Sequence, residues 1–165
     1  MSPCAADLRC GSARAATVRR VKVLAEFVSH SPEETISLGR ELAKEMRPPS
    51  LVLLEGELGS GKTTLIKGIV AGLGAVQEEE VTSPSFTLVH EYGAARKVYH
   101  VDLYRIEEAR ELETLGLEDL AAQEATVLVE WGEKLGDRVP TPCIRIRMEH
   151  RGSEDRGIVV ERMET

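Results

Sequence analysis

The chain of 165 residues contains no asparagine, and this absence bears on one class of function. Regulatory GTPases read guanine through an Asn-Lys-x-Asp motif, which cannot be formed without asparagine. The absence counts against a regulatory GTPase.

Cysteines are few, and long hydrophobic runs are missing. The three cysteines, Cys4, Cys10 and Cys143, form no CxxC pair and no zinc-binding spacing, and their number is odd. Free thiols in a reducing cytosol fit this pattern better than a disulfide framework does. No apolar run approaches the roughly 20 residues of a membrane-spanning helix. The sequence therefore predicts a soluble, cytoplasmic protein that does not enter a membrane.

Charge is distributed unevenly along the chain. The net charge of −7 argues against a large nucleic-acid-binding face. Residues 1–22 nevertheless carry five basic side chains and one acidic side chain. Such a composition cannot bury a core, so we predict a disordered basic extension there; a start site placed too far upstream or a transit-like segment also fits. The length of the remainder favours a single domain over residues 23–165.

One stretch, residues 56–63, fits the phosphate-binding pattern G-x-x-x-x-G-K-S/T. The apolar run before it, residues 51–55, is typical of a buried strand. After it, apolar residues recur at helical spacing up to Gly74, which predicts a helix that ends there. A strand, a glycine loop and a helix in this order are the arrangement that phosphate binding requires.

Each residue type in this stretch has a physical reason. Gly56, Gly59 and Gly61 let the backbone approach a phosphate without an intervening Cβ, and the loop amides with the helix N-terminus form an anion-binding nest. Lys62 places a positive charge at the terminal phosphates. The Thr63 hydroxyl is positioned to ligate Mg²⁺, which bridges phosphate oxygens. The pattern thus predicts an ATP site with Mg²⁺.

The rest of the chain alternates strand and helix patterns. The further predicted elements are a strand over 21–28, a helix from the N-cap Ser31 to before Pro48, a hairpin of 86–92 with 97–104, an acidic helical segment over 107–120 broken at Gly116, a buried strand over 126–131, and a closing hairpin of 143–148 with 158–160. This order predicts an α/β fold. We expect a single P-loop NTPase domain with a mainly parallel central sheet flanked by helices, and antiparallel hairpin additions.

Two acidic residues stand at the ends of predicted strands. Asp102 ends the second strand of the first hairpin, and Glu130 ends the purer apolar run. Acids at the carboxyl edge of parallel strands lie in the crevice where such folds bind ligands. A nucleotide hydrolase needs one acid near Mg²⁺ and a group that positions water, and the pattern favours Glu130 for the metal. His100 is interpreted as a structural or exposed residue, and Trp131 as a packing residue or one that flanks the nucleotide.

Five segments together resemble the bacterial TsaE (YjeE) family in order and spacing. They are residues 56–65, 81–92, 100–105, 111–117 and 130–136. The resemblance covers about residues 27–148 and is specific.

The resemblance implies a small ATPase in the formation of threonylcarbamoyladenosine on tRNAs that read ANN codons. Members of this family act with TsaD and TsaB, which carry out the transfer. The family member itself hydrolyses ATP, which resets that assembly between turnovers. The resemblance therefore implies TsaD and TsaB homologues as partners, contact with tRNA only through them, and hydrolysis that is slow without them.

The resemblance also assigns roles to residues. Lys62, Asp102 and Glu130 are implied as catalytic, and Thr63 and Glu130 as metal ligands, with Asp102 helping to activate water; the reverse assignment of the two acids stays open. The residues implied to bind the nucleotide are Glu57, Leu58, Gly59, Ser60, Gly61, Lys62, Thr63, Thr64, Ser85 and Trp131. Ser85 replaces a common threonine and keeps its hydroxyl, and Gly132 replaces a frequent proline.

Two other functions remain open from the sequence. A small-metabolite kinase shares the size and the phosphate loop, although the acidic stretch 105–123 suits a phosphorylated acceptor poorly. A nucleotide-dependent interaction module with negligible turnover would use the same residues as a slow ATPase.

Overall fold

The computed structural model describes residues 19–165, which form a seven-stranded sheet with helices on both faces. The strands are β1 (Arg20–Ser29), β2 (Ser50–Glu55), β3 (Val89–Tyr92), β4 (Val98–Asp102), β5 (Thr126–Glu130), β6 (Cys143–His150) and β7 (Arg156–Glu164). The helices are α1 (Pro32–Glu45), α2 (Lys62–Gly72), α3 (Ala109–Leu115) and α4 (Leu117–Ala121), and short 3₁₀ segments span Glu78–Glu80 and Gly132–Arg138.

The strand order is β1-β7-β6-β2-β5-β4-β3. The four strands β6, β2, β5 and β4 are parallel, whereas the β1/β7, β6/β7 and β3/β4 pairs are antiparallel. The predicted α/β fold, with a parallel centre and antiparallel hairpins added at both sides, is confirmed. The carboxyl ends of β2, β4 and β5 lie side by side, which is where such sheets bind ligands.

Apolar residues pack in two layers, one on each face of the sheet. Helices α1 and α2 cover one face, where Leu65, Ile66 and Ile69 are fully buried against β2 and β6. The other face is covered by α3, α4 and the segment after β5. Strands β2 and β5 are buried along almost their whole length, as expected for central parallel strands.

The first helix begins as predicted. Ser31 is its N-cap and accepts a hydrogen bond from the Glu34 amide at 3.1 Å, with Pro32 at the first helical position. The Glu34 carboxylate reaches one residue further back than a reciprocal capping box requires, and accepts from the His30 amide at 2.7 Å. The helix ends before Pro48, as predicted.

Two boundaries differ from the sequence-based expectation. The predicted limit between extension and domain, at residues 22 and 23, falls inside β1, which pairs with β7 from Arg20 onward; residues 1–18 lie outside the described residues. The strand predicted from Phe86 begins only at Val89. Leu88 adopts a positive φ of 66° and donates its amide to the Pro84 carbonyl at 2.7 Å, so residues 86–88 form a turn.

Within residues 19–165, none of the helices combines the length and the apolar character needed to cross a bilayer.

Helices α1 and α2 touch through glycines. A Cβ on Gly68 would stand 2.1 Å from the Ile36 carbonyl oxygen and 3.0 Å from the Gly39 Cα. The two backbones can approach this closely only because Gly68 has no side chain. Their contact positions α2, the helix that follows the phosphate loop.

We expect Gly68→Ala to destabilise the protein by about 2 kcal/mol, because overpacking outweighs the roughly 1 kcal/mol gain in helix propensity. Urea unfolding measures this change. Gly74→Ala is the control: it forces a side chain onto φ 72° but meets nothing within 4 Å, and should cost about 1 kcal/mol. Equal losses in the two variants would contradict the packing argument.

Candidate functional site

The phosphate loop joins the end of β2 to the start of α2. Three of its glycines have positive φ: 147° at Gly56, 77° at Gly59 and 99° at Gly61, a region that side chains with Cβ disfavour. A Cβ on Gly56 would lie 2.3 Å from the Met148 carbonyl oxygen. Gly61 is the N-cap of α2, so the amides of the first turn are open to an anion.

Lys62 lies inside this loop and is almost completely buried. Its ammonium donates to the carbonyl oxygens of Gly56 at 2.6 Å and Glu57 at 2.9 Å. It also lies 4.0 Å from the centre of the Trp131 ring, within cation–π distance. Burial lowers the pKa of Lys62, and the nearby carboxylates, Glu130 first among them, oppose that shift. The ammonium is thus held by the loop at the place where terminal phosphates would lie.

Thr63 and Glu130 meet at the base of the loop. The Thr63 hydroxyl donates to Glu130 Oε1 at 2.8 Å, although the two residues are far apart in sequence. The same oxygen is 2.8 Å from Nε2 of the buried His100. A hydroxyl and a carboxylate are the hard oxygen donors that Mg²⁺ selects, so this pair fits the predicted metal site.

Asp102 lies beside Glu130 because β4 and β5 are paired in parallel with these two residues in register. Its Oδ2 accepts from the hydroxyls of Ser83 at 2.7 Å and Ser85 at 3.2 Å. Its Oδ1 accepts from the Tyr104 amide at 2.8 Å. These hydrogen bonds hold the Asp102 carboxylate against the hydroxyl-rich loop before β3, residues 82–85. They are separate from the hydrogen bond between Thr63 and Glu130.

These groups surround one cavity of about 330 Å³ at the carboxyl edge of the sheet. It is lined by Leu58, Gly59, Gly61, Lys62, Thr63, Thr64, Ser83, Ser85, Asp102, Tyr104, Glu130 and Trp131. Within residues 19–165, no three His, Cys, Asp or Glu side chains cluster as a metal site. In nucleotide sites Mg²⁺ is usually bound through one or two carboxylates together with substrate phosphates and water, and the Thr63–Glu130 pair fits such a site.

Most of the residues predicted for the site are brought together here, and two are not. Glu57 contributes its carbonyl oxygen to Lys62, and Ser60 is fully buried; neither side chain lines the cavity. Ser83 and Tyr104 line it as well; both lie in segments that carry the family resemblance, 81–92 and 100–105, although neither was assigned an individual role. His100, interpreted from sequence as structural or exposed, is fully buried.

A second groove, of about 270 Å³, adjoins the loop on its other side. It lies between the start of α1 and the turn before β7, and it includes Ser31, Thr35 and Arg156. Arg156 donates to the Gly59 carbonyl at 3.4 Å. No local pattern predicts this contact, because 97 positions separate the two residues.

Comparison with known proteins agrees with this geometry. The sequence model of the family described as "Threonylcarbamoyl adenosine biosynthesis protein TsaE" matches residues 29–158. The TsaE protein of Bacillus subtilis is 36% identical over 129 residues, which cover 78% of this chain and 79% of that protein. The Treponema pallidum protein of the same name is 32% identical over 81% of this chain and 97% of its own length.

The fold has a solved counterpart as well. The crystal structure of Bacillus subtilis YdiB matches with a TM-score of 0.69 and 30% sequence identity, over 87% of both chains. The family match spans both strand-end acids and the phosphate loop. The chain therefore belongs to the TsaE family of threonylcarbamoyl adenosine biosynthesis proteins.

Proposed function

We propose that this chain binds ATP with Mg²⁺ in the cavity beside Lys62 and hydrolyses it to ADP and phosphate as a partner of TsaD and TsaB homologues. Membership of the TsaE family makes it a protein of tRNA threonylcarbamoyladenosine biosynthesis. The observation that carries the ATPase proposal is the 2.8 Å bond between Thr63 and Glu130. It joins the phosphate loop to a strand-end acid, which supports a nucleotide-hydrolysing site.

The loop supplies the phosphate contacts. Lys62, which now donates to the Gly56 and Glu57 carbonyls, would donate to the terminal phosphates, and the amides at the start of α2 would cap the anion. Burial strengthens the attraction between the ammonium and phosphate, because water screens it less. The absence of asparagine favours ATP over GTP.

Thr63 and Glu130 are proposed to hold the metal. When bound, Mg²⁺ neutralises charge that develops on the phosphate oxygens. Thr63 would supply its hydroxyl to the metal and Glu130 a carboxylate oxygen, directly or through water. Glu130 suits this role better than Asp102, since Thr63 contacts Glu130 and Asp102 is bonded to Ser83 and Ser85.

Asp102 is proposed to orient the attacking water. It lines the cavity next to Glu130, and the two serines and the Tyr104 amide hold its carboxylate in place. A fixed carboxylate at the reacting phosphate can accept a hydrogen bond from water and align it. The position of Asp102 thus depends on the conformation of residues 83–85, which carry the two serines.

We expect Asp102→Asn to lower ATP turnover by about 100-fold while changing ATP affinity less than threefold, because water positioning acts on the chemical step. Phosphate release and equilibrium ATP binding measure the two effects. Asp119→Asn is the control, since Asp119 is exposed and outside the cavity. A large loss of ATP affinity in Asp102→Asn would contradict the role given to Asp102.

The partners and the cellular place are proposed from the family. TsaD and TsaB homologues would hold the tRNA, which suits a chain with a net charge of −7 because such a chain repels nucleic acid. A protein that acts on this assembly would work in the cytoplasm.

The test is phosphate release by the purified chain, alone and with a TsaD–TsaB pair added. We expect slow hydrolysis alone and a rate raised at least about tenfold by the pair. Binding of ATP with no hydrolysis in either condition would instead identify an interaction module. Phosphate transfer only to an added small metabolite would identify a kinase, and either result would overturn the proposal.

A further inference from the structure

We propose that His100 is a positioning residue of the metal site, which holds Glu130 in the orientation that receives Mg²⁺. This inference rests on the proposed function of the same cavity. It concerns a side chain that does not line the cavity and that acts only through Glu130.

The first observation is the isolation of the His100 ring. His100 is 0% exposed, and its Nε2 lies 2.8 Å from Glu130 Oε1. A carboxylate oxygen only accepts hydrogen bonds, so Nε2 carries the hydrogen and donates it. The buried Nδ1 has no hydrogen-bond partner among residues 19–165. The bond to Glu130 is therefore the single polar contact of this side chain within the described structure.

A buried polar ring with one unpartnered nitrogen destabilises the folded state, because that nitrogen loses its hydrogen bonds to water. A leucine in the same place would avoid that cost. Histidine differs from such an apolar residue by one polar contact, the hydrogen bond that it donates to Glu130.

The second observation is how Glu130 is held. Its Oε1 accepts from both Thr63 Oγ1 and His100 Nε2, each at 2.8 Å. Both hydrogen bonds that the Glu130 carboxylate receives within the described chain end on Oε1. Two donors on one oxygen fix the rotation of the carboxylate and leave Oε2 as the free ligand. Once Thr63 turns to the metal, His100 is the donor that remains.

The third observation is the spacing of His100 and Asp102. Residues two apart on a strand lie on the same face, and β4 runs parallel to β5 with Asp102 opposite Glu130. His100 lies two residues before the end of β4 and contacts Glu130 from there. Asp102 is the last residue of β4 and lines the cavity. In this His-x-Asp pair, His100 supports the metal-binding Glu130, and Asp102 orients the attacking water.

The test compares donor-free and donor-carrying replacements. His100→Leu and His100→Met remove the donor, and methionine adapts to irregular core space if leucine does not fold. His100→Gln keeps an N–H near the position of Nε2. The readout is the Mg²⁺ concentration that half-saturates the complex with a non-hydrolysable ATP analogue, followed by Trp131 fluorescence. Thermal unfolding of each nucleotide-free variant reports stability separately.

Loss of an outer hydrogen bond to a metal ligand typically costs 10–100-fold in metal affinity. We expect the donor-free variants to need at least about tenfold more Mg²⁺, and His100→Gln to recover most of that loss. In a Glu130→Gln background, the same substitutions should change the Mg²⁺ requirement less than twofold, because the ligand they support is already altered.

Three outcomes separate the possibilities. Wild-type protein whose nucleotide binding ignores Mg²⁺ overturns the proposed function itself. Mg²⁺-dependent wild type with donor-free variants that need less than twofold more Mg²⁺ overturns only the role of His100. Equal losses with and without Glu130 also overturn it, because they would show a merely structural effect of the ring.

Discussion

Lys62→Ala is expected to lower the affinity for ATP by about 100-fold or more. The ammonium is the one positive side chain that lines the cavity within residues 19–165, and charged hydrogen bonds to phosphate are worth about 3 kcal/mol in total at such a site. Its loss leaves the phosphate charge to the loop amides alone. Isothermal titration calorimetry with ATP and Mg²⁺ measures the change.

Lys67→Ala is the matched control for this variant. Lys67 lies one turn further along α2, carries the same charge and does not line the cavity. Its removal should change the affinity less than threefold. ATP binding that is undiminished in Lys62→Ala would contradict the assignment of the cavity as the phosphate site.

Glu130→Gln is expected to lower ATP hydrolysis in the presence of TsaD and TsaB homologues by about 100-fold or more. Glutamine keeps the size of the side chain and an oxygen that accepts from Thr63 or His100, but it removes the negative charge that a metal requires. ATP binding without Mg²⁺ should stay within threefold of wild type. Phosphate release at saturating ATP measures the loss.

Glu133→Gln separates the specific role of Glu130 from a general change of charge. Glu133 is exposed, three positions further along, and it also acts on the pKa of Lys62. This variant should hydrolyse ATP at nearly the wild-type rate. If Glu130→Gln hydrolysed ATP normally in the full assembly, the metal role of Glu130 would be wrong.

The phosphate loop and the sheet were predictable from sequence because their signals are local. Residues 56–63 carry their own pattern, and the apolar runs of β2 and β5 indicate buried strands. The acids Asp102 and Glu130 followed from the rule that parallel strands end at one edge. In the structure, Asp102 and Glu130 are paired in register at that edge.

What the sequence did not reveal depends on contacts between distant segments. Residues 86–89 alternate like a strand, yet the turn at Leu88 closes onto Pro84, so that Ser83 and Ser85 can reach Asp102. His100 sits in an alternating strand where either face would suit it, and only the packing of β4 against β5 shows its bond to Glu130. Tertiary contacts decided both positions, and local propensity did not.

Trp131 allows the central claim to be tested without a label, because it is the only tryptophan of the chain and lies in the cavity 4.0 Å from Lys62. The measurement is its fluorescence during titration with ATP and Mg²⁺. The proposed site predicts a saturable change with one ATP per chain, absent in Lys62→Ala and retained in Lys67→Ala. Binding of ATP, detected by calorimetry, that leaves the emission of Trp131 unchanged would contradict it.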